Sequence, residues 1–285
     1  MGLTGQPYDV KDDILRVDYL PPLSVTATRL LEAVADPDVE VRRLAGIIEQ
    51  DPPLSARILG MANSAFFGQA RPVLKVEQAI VRVLGLNLVK SLALSVALAG
   101  SFDTRGCPSF RIRDYWRSAL ATAVLAQALA RRLPNDPHRS ADTLYLSGLL
   151  HNLGILVLVH LRPAEMTTVF DQLATEAAGA ASASALEAQI VGIDRWRAGE
   201  WLAFRWHLPE VLVHTMGQLS NLAYDGPYAP VVELVRAARG WVEAMAAGSP
   251  IELRIADLES DLAASAAAEI AASWEELSAM TANLT

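Results

Sequence analysis

The residues best suited to chemistry in this 285-residue chain are a histidine and an amide, His151-Asn152. They stand midway through its least polar stretch, Thr143-Leu-Tyr-Leu-Ser-Gly-Leu-Leu-His-Asn-Leu-Gly-Ile-Leu-Val-Leu-Val-His-Leu161. An imidazole there could ligate a divalent metal, and metal-assisted hydrolysis is the reaction such a centre would run. That chemistry needs several donors, because a water must be held and its pKa lowered toward neutrality. One ligand cannot do this. Without company, His151 is a core histidine whose ring nitrogens bond to neighbouring groups, and Asn152 is a polar residue tying helices together.

Other residues invite the same weighing. His207 and His214 could approach one another across a helix with Glu210 nearby, a donor set short of a metal site. Asp194 reads as a helix N-cap. Arg105, Phe110, Arg111, Arg113, Tyr115, Trp116 and Arg117 could offer stacking and phosphate contacts to a nucleotide or single strand. Trp196, Arg197, Trp201, Arg205 and Trp206 form a second group, whose spacing does not keep the three tryptophans on one helix face. Core tryptophans with arginines reaching to water account for both groups, and a protein-interaction surface is their next use.

Hydrophobic residues make up 52% of the chain and aromatics only 6%, so the core is built from Ala, Leu and Val, a composition that favours helices. The net charge of -8 provides no global attraction to nucleic acid or to an anionic membrane surface. A single cysteine, Cys107, excludes an intramolecular disulfide framework and fits a reducing, cytoplasmic setting. The opening Met1-Gly-Leu-Thr-Gly-Gln-Pro has neither the cationic start nor the apolar run of a signal peptide. The 143–161 stretch approaches the roughly 20 apolar residues that span a bilayer, yet it carries Ser147, His151, Asn152 and His160. It reads as the central core helix of a soluble bundle, with no membrane partner.

The elements that must position these residues are helices. Asp38 is expected to cap a helix whose stripe is Val41, Leu44, Ala45 and Ile48, and Asp51-Pro52 restarts the chain into a second stripe of Leu54, Ile58, Leu59 and Ala62. A segment from Val76 to Leu84 breaks at Gly85, and a helix follows to about Gly100. Further helices run from Ile112 to Leu133, stopped by Pro134-Asn-Asp-Pro137, and from Pro163 to about Ala177. An Ala/Ser tract then leads helically into Leu186-Glu187-Ala188. Gly192, Pro209 and Pro227 separate later helices, including one near 228–247 and one near 263–281. Period-two alternation is lacking, so the fold class is all-α.

Order and residue choice carry a resemblance. Leu20-Pro-Pro-Leu23, Asp51-Pro-Pro-Leu-Ser-Ala-Arg-Ile-Leu59, Ala62-Asn-Ser-Ala-Phe-Phe-Gly68, Gln78-Ala-Ile80 with Leu84-Gly85, Tyr115-Trp116, Gly148-Leu-Leu-His-Asn-Leu-Gly154 and Trp206-His-Leu-Pro209 together resemble an HDOD domain. The block around Asn63-Ser64 carries most of that specificity. The resemblance covers residues 15–222 and implies two helical lobes, an N-terminal bundle over 15–105 and a second over 106–222. The second lobe is similar to the HD and HD-GYP metal phosphohydrolases. Residues 1–14 precede the domain and 223–285 form a helical extension.

In those hydrolases, histidines and aspartates from several helices gather around one or two metals, so the resemblance can be audited by position. The early histidine expected two residues after Trp116 is Ser118, and the aspartate of the His-Asp pair is Asn152. The histidine expected after Gly192-Ile-Asp194 is Arg195, a fixed cation that donates only. The adjacent histidine pair expected near Leu219-Ser220 is absent from the whole chain. Of the usual ligands, His151 alone remains.

The resemblance therefore implies a non-catalytic regulatory module of bacterial signal transduction with a degenerate metal site, no metal and no cofactor. It would bind protein partners or a small nucleotide or phosphate ligand, and movement of its lobes would be its switch. A homodimer stays open and nucleic acid is disfavoured. His151, Asn152, Ser118 and Arg195 are the candidate pocket residues. Arg195 would either bind a phosphate or carboxylate there, or pair with an acidic neighbour such as Asp194 or Glu200 on the surface. The alternative is a metal-dependent phosphohydrolase or cyclic-dinucleotide phosphodiesterase with an atypical site.

Overall fold

The computed structural model describes residues 20–68, 71–134, 139–175, 183–249, 253, 255 and 258–284. Among them there is no strand; an isolated bridge joins Ile255 and Leu258. The expectations for residues 1–14 and for most of the Ala/Ser tract lie outside the described residues.

The first group of helices comprises α1 (Val25–Ala35), α2 (Val41–Glu49), α3 (Pro52–Ala62), α4 (Val76–Ala79) and α5 (Leu86–Ala99). Asp51 caps α3 as expected, its carboxylate accepting from the Leu54 N–H at 3.0 Å, a bond worth about 1 kcal/mol. Asp38 does not cap α2. That helix begins after Glu40, and the Asp38 N–H is already held by the Asp36 carboxylate at 2.9 Å in a local turn. Asn63 bonds both ways to Val73, accepting its N–H at 2.7 Å and donating to its carbonyl at 2.9 Å. One side chain thus pins both ends of the loop between α3 and α4. α4 runs into a π-helical turn, Ile80–Leu84, that ends at Gly85, where φ is +81°.

The second group contains α6 (Ile112–Ala130), α7 (Ala141–Leu150), α8 (Leu153–Leu161), α9 (Pro163–Thr175), α10 (Ala183–Ile190), α11 (Arg195–Arg205) and α12 (Glu210–Gln218). Residues 143–161, expected as one helix, form two, with His151 and Asn152 at the break. Asn152 has φ -109° and ψ 15°, off helical values. The turn lets α8 lie directly on α11. A Cβ at Gly154 would stand 1.9 Å from the Arg195 carbonyl oxygen, so only glycine fits. Residues 141–161 are long and apolar enough to cross a membrane, but 89% of their most apolar window is buried against other helices. This is core.

The extension supplies α13 (Ala229–Ala246), α14 (Ser260–Ala272) and α15 (Trp274–Met280). The helix expected near 263–281 is therefore two, interrupted at Ser273. α13 packs on α6 and α7, and α14 and α15 pack on α6. The chain end then returns to the first group, where the Asn283 side chain presses on Gly60 of α3. α5 against α7 makes a further junction between the groups.

Candidate functional site

Two glycines bring the site together. A Cβ at Gly148 would lie 2.5 Å from the Ala123 Cα, so α7 rests on α6 backbone to backbone, and Gly154 does the same for α8 against Gly199 and Arg195 of α11. Ser118 and Thr122 on α6, Ser147, His151 and Asn152 around the α7–α8 turn, and Arg195 at the start of α11 are thereby gathered. α13 adds Arg239 and Glu243.

His151 is 2% exposed. Its Nδ1 bonds the Gly148 carbonyl at 2.7 Å, so in the neutral ring Nδ1–H donates and Nε2 keeps its lone pair. Burial pushes its pKa from 6.5 down to about 3, and the charges of Arg239 and Arg195 push the same way, against the bond to Gly148. Nε2 has no partner. Neither have the buried Asn152 Oδ1, Thr122 Oγ1, Ser147 Oγ and Arg239 Nε, all on the helices that meet here.

Arg195 is neither a free cation nor a surface residue. Its backbone N–H donates to Glu187 Oε2 at 2.9 Å, its Nε to Oε1 at 2.7 Å, and a terminal nitrogen also bonds Oε1. Glu187 of α10 is fully buried. The expected pairing with Asp194 or Glu200 is thus corrected. A carboxylate without water needs a donor for each oxygen, and Arg195 supplies both, its guanidinium to one and its backbone N–H to the other. Asp194 is the N-cap of α11, accepting the Arg197 N–H at 2.8 Å, and Glu200 pairs with Arg197 at 2.6 Å. Arg239 lies over the Trp196 ring at 4.8 Å and pairs with Glu243 at 3.2 Å.

These groups do not fit a divalent metal. His151 offers one lone pair, Asn152 is neutral, Ser118 is a hydroxyl, and two guanidinium groups act on His151 where a carboxylate would be needed. Among the described residues, no three His, Cys, Asp or Glu side chains gather as metal ligands.

Beside this knot lies a cavity of about 590 Å³. Ser118, Asn152 and Arg195 line it together with Phe110, Tyr115 and Phe170. Of the four residues expected to share a pocket, three do; His151 is not in its wall. Sequence reasoning missed Glu187, Arg239, Glu243 and Phe170. Glu187 had a signal, a lone carboxylate in the apolar run Leu186-Glu187-Ala188, whereas Arg239 lies beyond the resemblance.

The other candidates disperse. His207 sits in a turn with φ +53°, outside any helix, while His214 bonds the Tyr224 hydroxyl at 3.1 Å and stacks on its ring. No hydrogen bond or ring contact joins the two histidines among the described residues. Trp116, Trp196 and Trp206 are core. Arg105 pairs with Asp103 at 2.7 Å, and Arg117 with Asp114 at 2.8 Å while lying over Trp274.

Comparison with known proteins agrees with this architecture. Residues 20–222 match the HDOD domain. A provisionally described signal transduction protein from Marinobacter aquaeolei VT8 is 28% identical with a TM-score of 0.81, over 100% of this chain and 63% of that one. A provisionally described phosphohydrolase from Shewanella amazonensis SB2B superposes with a TM-score of 0.76 at 24% identity, over 98% of both chains, a likeness of fold. An uncharacterized protein of Treponema pallidum (strain Nichols) is 29% identical over 83% of this chain; the chain spans about half, 45%, of that curated relative's length. With its all-helical fold and a match over most of its length, this chain belongs to the HDOD domain family.

Proposed function

We propose that the chain is a non-catalytic regulatory module of a bacterial, cytoplasmic signalling pathway. It acts by binding a protein partner or a small ligand and carries a remnant of an HD metal site. The observation that carries this reading is the fate of the Arg195 position. A guanidinium bound to buried Glu187 stands where a ligand histidine is expected, and the Arg239 charge adds to it beside His151. Neither guanidinium has a lone pair to offer a metal, and each is already held by a carboxylate. The Marinobacter relative's description as a signal transduction protein supports the same direction.

Movement between the two groups of helices is the switching element of this reading. The extension bears on it, because α13 belongs to the site through Arg239 and the chain end bears on α3. A partner touching the extension therefore reaches both groups, the second through α13 and the first through the chain end at Asn283.

Metal analysis of protein purified without chelator tests the reading, together with assays on phosphoesters and cyclic dinucleotides. Metal far below one ion per chain and no hydrolysis are expected. Stoichiometric Fe, Mn, Zn or Mg, with turnover lost in His151→Ala, would establish the phosphohydrolase alternative instead.

A further inference from the structure

We propose that the cavity bordered by α6, α9 and the α7–α8 turn binds a planar ring carrying one anionic group, of about mononucleotide size. The inference rests on the reading of this region as a ligand pocket and supplies the ligand's chemistry.

The charge pattern of the wall locates the anion. Arg195 is bound to Glu187, Asp114 to Arg117 and Glu243 to Arg239, while Asp171 accepts the Ser109 hydroxyl at 2.6 Å and keeps its charge at another part of the wall. Arg111 also lines the cavity and has no carboxylate partner among the described residues. It is exposed, at the position just before α6. An uncommitted guanidinium at a cavity wall is a fork for a phosphate or carboxylate.

Aromatic rings locate the flat part. Phe110 and Phe170 have centroids 5.7 Å apart, and Tyr115 lies 6.4 Å from Phe110. Half-buried ring faces contributed by α9 and by the residue just ahead of Arg111 offer stacking surface to any planar ring, whatever its edge.

The polar edge is set by Asn152 and Ser118. Asn152 is 8% exposed, and its Oδ1 has no partner. A buried acceptor left unsatisfied costs about 1–3 kcal/mol, so an N–H or O–H donor on the ring edge is favoured once the amide turns toward it. The volume, about 590 Å³, is within the usual range of small-molecule sites.

A nucleobase with its phosphate and an aryl carboxylate share this chemistry, and calorimetry separates them. The full chain would be titrated, without added metal, with AMP, GMP, adenosine, inorganic phosphate and indole-3-acetate. Binding of at least one anion-bearing ring is expected, with adenosine and phosphate alone weaker by about ten-fold or more. Arg111→Ala should lose about ten-fold on the anionic ligands with an unchanged melting temperature, since the residue is exposed and unpaired. Phe170→Leu should weaken every ring. Nucleotides alone binding, or indole-3-acetate alone, would name the source.

Failure to bind any ring, equal affinity for adenosine and AMP, or an unaltered Arg111→Ala would overturn the inference. None of those results touches the regulatory reading. Hydrolysis of a bound nucleotide in the same samples would sink that reading while leaving the pocket in place.

Discussion

Arg195 and Glu187, eight residues apart, form a buried ion pair in which one carboxylate oxygen takes the guanidinium and the other takes the backbone N–H of the same arginine. The pair ties α10 to the first residue of α11. It also consumes the charge that the sequence placed nearest the candidate pocket.

Removing one partner strands the other charge away from water. Arg195→Ala or Glu187→Ala should each cost about 3–5 kcal/mol in denaturant unfolding. Replacing both together with Arg195→Met and Glu187→Leu should recover most of that loss, because two apolar side chains need no solvation. A double variant no more stable than either single one would show that the pair serves packing rather than charge.

His151 makes stability depend on pH. Its pKa lies near 3 in the folded chain against an ordinary 6.5, so below about pH 6.5 the unfolded chain binds a proton that the folded chain refuses. Its stabilising effect is complete above pH 6.5 and is lost as pH falls toward 3, at about 1.4 kcal/mol per pH unit. Urea titrations between pH 7 and 4 should show that slope, and His151→Gln should flatten it by close to one proton. A signal assigned to the His151 imidazole, by its loss in His151→Gln, that titrates near 6.5 in folded protein would contradict the burial argument.

The helix crossings around the site predict opposite results for one substitution at two glycines. Gly154→Ala puts a methyl into the Arg195 carbonyl and the Gly199 nitrogen, both backbone atoms that cannot turn aside. It should destabilise by about 3 kcal/mol or more and disturb the cavity. Gly240→Ala, in α13 with nothing within 4 Å of the added Cβ, should stabilise by about 0.5–1 kcal/mol. Melting temperatures of both variants check the pair.

Much of the fold was legible because it rests on local chemistry. Asp51 ahead of two prolines and Asp194 ahead of Arg195 could be read as caps, since a cap acts on backbone groups two or three residues away. Asp38 misled for the same local reason, because Asp36 competes for the turn. The break at His151-Asn152 was hidden. Both halves are apolar on nearly every side, so no periodicity marks where one helix stops and the next begins.

By itself the sequence determined an all-helical chain, its family and the loneliness of His151, because composition, caps and missing histidines are properties of residue type and order. Only the tertiary structure decided where the charges go. It carried Glu187 to Arg195, delivered Arg239 from the extension, set His151 apart from the cavity that Asn152 and Ser118 line, and left Arg111 in the wall of that cavity without a carboxylate partner among the described residues. Those outcomes depend on burial, which removes water and makes each polar group find a partner or go without one.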